Sequence, residues 1–412
     1  MGKRITALSS HSVWVPKSVS LHRSVFSDET KLDINYVPHR LPHREKELTL
    51  LKEFFGFALN SHGKMAQRVL VTGDVGTGKT ALCQRFGEDI TREASQHGIS
   101  LRYVHVNCRE YRGNLFMIMQ HVISVFHPHF PKRGYSAEEL LHSFMQVLDE
   151  EETYVILSMD EFDSLVEREG SEAVYELTRL QETRQNKPQR LSLICILRNL
   201  NAIQKLDAST RSTLQFNIVN LEKYSWQQLT DILTDRVAAA FKPSTVPEDT
   251  VKLIAKLAES ENGNARFGIE LLWRAGKYAN AEELASVTPE CARKAVSSVI
   301  PAVQKTDVES CSLHEKLFLL GIARLFKREE KAFISLTEAE QAYKVACEEY
   351  SKKPNSHTQL WKYLRTLSAA GIVKTEVSSS GSRGRSTLVY LPRIPAAELE
   401  KQLQILLEKP EV

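Results

Sequence analysis

The sequence predicts an α/β core built on a parallel sheet, then an all-helical unit, then a winged helix-turn-helix, and three observations carry that reading. Between Tyr36 and Asn220 short apolar runs alternate with amphipathic stretches; from 221 to 300 only helical spacing is found; beyond Pro301 three helix-period segments precede two strand-like runs. Strands that alternate with helices need crossover connections, which produce a parallel sheet covered on both faces. At 412 residues the chain exceeds one hydrophobic core, so several domains are expected.

Residues 1–35 mix Ser, Lys and other polar residues without sustained periodicity and read as an N-terminal arm. The core, 36–220, takes helix Glu45–Leu59, strand Val69–Thr72, helix Lys79–Gln96 and strand Leu101–Asn107. Helices Leu115–Phe126 and Ala137–Glu150, strand Tyr154–Met159, helix Ala173–Glu182 and strand Leu191–Leu197 follow. The helical unit, 221–300, takes Trp226–Phe241, Thr250–Glu259, Ala265–Ala279 and Glu290–Ile300. The last unit, 301–412, takes helices Leu313–Lys327, Thr337–Glu349 and His357–Ala370, then Ile372–Val377 and Thr387–Leu391 joined by a Ser/Gly/Arg loop, the pattern of a winged helix.

Composition excludes several classes. Hydrophobic residues at 42% and charged residues at 25% are those of a folded globular protein, not a disordered or collagen-like one. Apolar runs such as Val155–Met159 are far shorter than the ~20 residues of a spanning helix, and no apolar signal-peptide core is present, so no membrane partner is expected. Cys83, Cys108, Cys195, Cys291, Cys311 and Cys347 are widely spaced, without a CxxC pair, and read as reduced core residues. His121 with His127 and His129 lacks the partners of a metal motif. The net charge of +3 is small, but Lys352–Arg393 holds eight bases against one acid, Glu376, a footprint suited to phosphates.

The strongest motif is Gly73-Asp74-Val75-Gly76-Thr77-Gly78-Lys79-Thr80, a GxxxxGK[ST] loop between a strand and a helix, with Ala81 continuing into that helix. Its glycines let backbone N–H groups turn toward phosphate oxygens at a helix N-terminus; Lys79 is expected on the β/γ-phosphates and the Thr80 hydroxyl on Mg²⁺. The apolar strand at Val155–Met159 ends in Asp160 and Glu161, where ligands of open parallel sheets bind. Asp160 is expected to hold Mg²⁺, Glu161 to polarise an attacking water, and Asp163 to be structural or capping. The cofactors expected are therefore ATP or ADP with Mg²⁺.

With these motifs in hand, the chain resembles the AAA+ family of replication initiators, in particular the archaeal origin-recognition proteins related to the eukaryotic origin recognition complex and its helicase-loading partner. The likeness covers nearly the whole chain and implies an AAA+ P-loop NTPase core, an all-helical lid and a winged-helix domain. Tyr36-Val37-Pro38 with Leu41-Pro42-His43-Arg44-Glu45 is similar to the family's segment bordering the adenine, and Tyr224 at the core–lid junction joins the nucleotide set. Gly263-Asn264-Ala265-Arg266 looks like the start of the sensor-2 helix, which implies that Arg266 meets the γ-phosphate; on the residues alone Arg266 reads equally as a surface charge. The region from Asn107 to Ser136 is similar to the family's DNA-contacting insertion, with Lys132 and Arg133 as contacts.

Two places depart from the family pattern. Where the family ends a strand in a sensor Asn, this chain has Arg198, with Asn199 one step later; and Ser209 stands where an Arg is frequent, leaving Arg211 as the arginine finger for a neighbouring subunit's nucleotide. Both imply a paralogue that binds nucleotide more than it cycles it.

In the last domain, the helix with His357, Gln359, Lys362 and Arg365 is expected to enter the major groove, with Gln359 pairing adenine and Arg365 or Lys362 reaching guanine or phosphate. Arg383 and Arg385 in the hairpin loop suit a minor groove. The function expected is an ATP-dependent initiator, a slow ATPase switch, that binds double-stranded origin DNA and helps recruit or load the replicative helicase, with paralogous initiators as partners, in the cytoplasm at the nucleoid. Two other classes stay open: a nucleotide-binding DNA regulator with little hydrolysis, and a signalling or transposition ATPase whose winged helix binds protein.

Overall fold

The computed structural model describes residues 24–61, 63–131, 133–180, 187–214, 217–299, 308–329, 331–378 and 386–408. Its centre is a five-stranded parallel sheet: β1 Arg68–Gly73, β2 Leu101–Asn107, β3 Tyr154–Asp160, β4 Leu191–Leu197 and β5 Asn217–Leu221, in the order β2-β3-β4-β1-β5. β3 and β4 are buried at every position, which explains why both read as unbroken apolar runs rather than alternating ones. Helices Leu115–Phe126, Ala137–Glu150 and Asp163–Arg179 cover one face through Leu70, Val155, Leu157 and Cys195. Lys79–Gln96 and Glu45–Phe55 cover the other through Val69, Val71, Ile156 and Ile194. The register places Asn107 beside Asp160 and Gly73 beside Leu221, so the carboxyl ends of β1, β2, β3 and β5 gather at one edge, where the loops that follow them form a cleft.

The helical unit consists of Trp226–Ala240, Glu248–Ser260, Ala265–Ala281 and Pro289–Val299. A capping box of Ser225 with Gln228 sets the first start and the Asn264 side chain caps the third. In the last domain, helices Leu313–Glu329, Leu336–Glu349 and His357–Ala369 pack against a small antiparallel sheet of β6 Ile334–Ser335, β7 Lys374–Ser378 and β8 Ser386–Tyr390, ordered β6-β8-β7. A closing helix, Ala396–Glu408, adds Leu399 and Leu403 to this core. One continuous apolar cluster joins lid residues such as Leu272 and Val296 to Phe318, Phe326 and Leu364 of the winged helix.

Four expectations change. β5 was not foreseen and completes the sheet beside β1. The helix expected from Ala173 begins at Asp163 and is broken at Gly170, where φ is +72°. The C-terminal helix and β6 add to the expected three helices and hairpin. Within the arm expected over 1–35, the described residues 24–35 are folded: Glu29–Leu32 forms a short 3-10 helix, and Val25, Phe26 and Leu32 are buried in the lid's core.

Candidate nucleotide site and nucleic-acid face

The loop after β1 adopts its shape through glycine. Gly76 has φ +81° and Gly78 φ +89°, a left-handed region that costs other residues about 1 kcal/mol or more. Space matters as well: a Cβ on Gly76 would stand 1.9 Å from Asn264 Oδ1, and one on Gly78 would stand 3.0 Å from the Tyr224 hydroxyl. Lid and loop therefore touch, and the Ala265 N–H donates to the Gly76 carbonyl at 3.1 Å. Arg44, 4% exposed, braces the loop from behind by donating to the Thr77 carbonyl at 3.0 Å and the Glu222 carbonyl at 2.6 Å, its guanidinium 4.0 Å from the Tyr224 ring centroid.

These groups face a cleft of about 1310 Å³ at the carboxyl edge of the sheet. Among the expected residues, Tyr36, Val37, Pro38, Val75, Gly76, Gly78, Lys79, Thr80, Ala81, Asp160, Glu161, Tyr224 and Arg266 line it. Gly73 and Asp74 lie in a small hollow on the loop's other side, where Asp74 pairs with Lys223 at 3.2 Å. Thr77 is buried, its hydroxyl donating to the Asp74 carbonyl at 2.9 Å. Arg211 lies on helix Ala208–Thr213, outside the cleft of its own chain.

Lys79 donates to the Gly73 and Asp74 carbonyls at 2.6 and 2.9 Å. Burial lowers its pKa and the Arg266 charge adds to that shift, while Asp160, Asp163 and Asp74 oppose it. The Thr80 hydroxyl donates to Asp160 Oδ2 at 2.6 Å, bringing two hard oxygen ligands together. No group of three or more His, Cys, Asp or Glu suited to a metal occurs among the described residues. That donor set fits Mg²⁺, which takes one or two protein oxygens and completes its shell with phosphate and water.

Glu161 sits at φ +48°, a strained conformation for a residue with a side chain, and its N–H donates to Asp160 Oδ1 at 2.8 Å. Its carboxylate stands 3.5 Å from Arg109. His105 of β2 lies 3.8 Å from Asp160 Oδ2 and 3.2 Å from the Ser158 hydroxyl, and burial lowers its pKa against the pull of Asp160 and Glu110. Asp163 accepts from the Arg198 N–H at 3.1 Å and burial raises its pKa, so its work is to anchor the end of β4. Arg198 and Asn199 both line the cleft. Sequence reasoning gave no site role to Asn264, which it quoted only within the Gly263–Arg266 stretch, or to Arg109 and His105, which stand near motif ends.

On the winged helix, Leu360, Leu364 and Leu367 are buried while Lys362 and Arg365 are exposed on the opposite face. Gln359 is half-buried at the flank, because 200° of helical rotation separates it from His357 and only 100° from Leu360. His357 is exposed but engaged, its ring 2.7 Å from Glu340 and accepting the Trp361 indole N–H at 3.2 Å. Part of the expected basic stripe faces the lid instead of open solvent: Lys374 bonds Ser260, and Arg393 stands 3.6 Å from Glu261. Arg133 is exposed in the turn before the capping box of Ser136 and Glu139. Lys132, Arg383 and Arg385 lie outside the described residues.

A glycine loop capped by a helical lid, with paired Thr and Asp oxygens and a winged helix beyond, defines the AAA+ nucleotide-binding class. The description "AAA domain" matches residues 63–206, "Cdc6 AAA+ ATPase-type lid domain" 230–297, and "CDC6, C terminal winged helix domain" 306–401. The ORC1-type DNA replication protein 2 of Saccharolobus solfataricus is 34% identical over 385 residues, 91% of this chain and 92% of its own length. That of Sulfurisphaera tokodaii is 32% identical over 382 residues, 91% of each. Among solved structures, Cdc6p from Pyrobaculum aerophilum superposes with a TM-score of 0.82 at 30% identity, covering 93% of this chain and 99% of that one. The Aeropyrum pernix ORC1 protein in complex with DNA gives 0.61 at 28% identity, covering 92% and 97%. The chain belongs to the ORC1/Cdc6-type family of replication initiators. No helix among the described residues is long and apolar enough to cross a membrane.

Proposed function

We propose that this chain is an ATP-dependent DNA replication initiator that binds double-stranded origin DNA and helps recruit or load the replicative helicase, alongside paralogous initiators at the nucleoid. The observation that carries the reading is continuity. The lid rests on the phosphate loop through Ala265 and Gly76 at one end, and shares one apolar core with the winged helix at the other. A change at the nucleotide therefore has a packed route to the DNA-binding face. The working units are the core 36–220, the lid 221–300 and the winged helix 301–412.

In this reading Lys79 and the loop N–H groups hold the phosphates, Thr80 and Asp160 hold Mg²⁺, and Arg266 approaches the γ-phosphate from the lid. When bound, Mg²⁺ would neutralise charge on the phosphates. Glu161 takes the proton of the attacking water, and Arg211 serves a neighbouring subunit. Lys362 and Arg365 contact DNA directly, with Gln359 and His357 at the flanks; Arg133, Lys132 and the hairpin arginines Arg383 and Arg385 hold backbone.

A second reading, a DNA-bound switch with very slow turnover, is favoured by Arg198 at the end of β4 and by Arg109 drawing on the Glu161 carboxylate. One titration series tests the proposal: duplexes of origin and scrambled sequence, with ATP and with ADP, at several salt concentrations. Nucleotide should change affinity for the origin duplex, and Lys362→Ala or Arg365→Ala should lower it. Each lost phosphate contact should flatten the salt slope by about one unit. Equal, nucleotide-independent binding to both duplexes would contradict the origin-binding reading.

A further inference from the structure

The wall at the base end of the cleft precedes the core in sequence but is held by the lid. The Ser27 and Asp28 N–H groups donate to the Ala240 carbonyl at 2.8 and 3.1 Å, and the Val25 N–H donates to Asn280 Oδ1 at 2.8 Å. The Phe26 ring lies 4.7 Å from Phe241 in a notch that Gly276 leaves open, since a Cβ there would come within 2.4 Å of Phe26. Glu29 accepts from the Trp273 indole N–H and pairs with Lys277, both at 2.6 Å.

Where this strap reaches the cleft stands Arg236, 8% exposed, on lid helix Trp226–Ala240. Its guanidinium donates to the Lys31 carbonyl at 2.8 Å and the Tyr36 carbonyl at 3.1 Å, and lies 4.9 Å from the Tyr36 ring centroid. The Lys31 ammonium lies 4.5 Å from the centroid of that ring. Ile34 of the strap, Val37 and Pro38 just after it, and Ala238 and Ala239 of the lid make this end of the cleft apolar, and Ile34 is 60% exposed although it is a large aliphatic residue. A planar fork that holds two carbonyls at once is a geometry arginine has and lysine lacks.

We propose that Arg236 is the positioning residue for the base end of the nucleotide cleft: it ties the strap Ser24–Tyr36 to the lid, so the base-facing wall moves with the lid while the phosphates stay with the loop Gly73–Thr80. The inference rests on the nucleotide reading above. It makes base recognition separable from phosphate recognition. The exposed aliphatic at Ile34 is the surface that a flat purine ring would cover.

The experiment compares binding of ATP and of inorganic tripolyphosphate, each with Mg²⁺, to the full chain. Arg236→Ala should weaken ATP by about tenfold, the scale of one charged hydrogen bond, and leave tripolyphosphate unchanged. Arg236→Lys should recover only part of that loss. Ile34→Ser, at an exposed position that does not endanger folding, should show the same selective loss at smaller size and decides the matter if Arg236→Ala does not fold. Equal weakening of both ligands by Arg236→Ala, or an Ile34→Ser variant that binds ATP as wild type does, overturns the proposal. Wild-type protein that binds neither ligand overturns the nucleotide reading itself.

Discussion

Replacing Lys256 probes the joint between lid and winged helix. Its ammonium lies 4.5 Å from the Phe333 centroid, 4.9 Å from Trp226 and 5.9 Å from Tyr390, and it pairs with Glu376 of β7. The residue is 8% exposed, and burial lowers its pKa. The two nearer rings are worth about 1 kcal/mol each, and Tyr390 less because it sits near the limit of the interaction. Glu376 is 36% exposed and rehydrates when its partner leaves, so the pair adds at most about 1 kcal/mol. Lys256→Ala should therefore cost about 2–3 kcal/mol, whereas Lys256→Met, which fills the cage and removes the ammonium's desolvation, should cost less than about 1 kcal/mol. Urea unfolding followed by tryptophan fluorescence reads the difference, because Trp226 is part of the cage. Ala and Met variants that both lie within about 0.5 kcal/mol of wild type would refute the reasoning, since surface changes fall in that range.

Three further outcomes are expected. Glu161→Gln should abolish ATP turnover and leave ATP affinity near wild type in calorimetry, because only the water-activating group changes; turnover at the wild-type rate would remove Glu161 from that role. Gly76→Ala should lower ATP affinity by about 2 kcal/mol or more, combining the left-handed strain with displacement of Asn264 and loss of the Ala265 bond, again read by calorimetry. Asp207 caps the helix bearing Arg211, and bonds from Ser209 and Thr210 hold its pKa well below the ordinary value of 3.8. A depressed carboxylate contributes stability above its unfolded pKa and loses it as pH falls through the folded one, so this helix should loosen only in strong acid. An Asp207 carboxyl titrating near 3.8 by NMR would contradict that.

The parallel sheet and its cleft were legible in sequence because β3 and β4 are uninterrupted apolar runs and the loop at Gly73–Thr80 has a fixed spacing. β5 was not, because Asn217-Ile-Val-Asn-Leu is short and half polar, and its place is set by pairing with β1 rather than by its own pattern. The strap at Val25 and Phe26 escaped because its apolar residues are isolated in sequence; their partners, Phe241 and Asn280, lie more than 200 positions away. Within the site, Lys79, Thr80 and Asp160 come from motif spacing, while Arg236 and Arg109 act through contacts no local pattern records. Reading polar residues along the winged-helix segment placed Gln359 with Lys362, and at i and i+3 they are neighbours; what that reading missed is that half-buried Tyr363, one turn on from Gln359, leaves Gln359 only partly exposed. The charge count around Lys374 and Arg393 could not reveal that both face the lid.

A genome-wide map of bound sites in living cells, set against a map of where replication begins, tests the initiator reading most directly. Wild-type protein should give a few sharp peaks that coincide with replication start sites, and the peaks should fall in Lys362→Ala and Lys79→Ala strains. Peaks confined to places where no replication begins, or binding spread evenly along the chromosome, would contradict it.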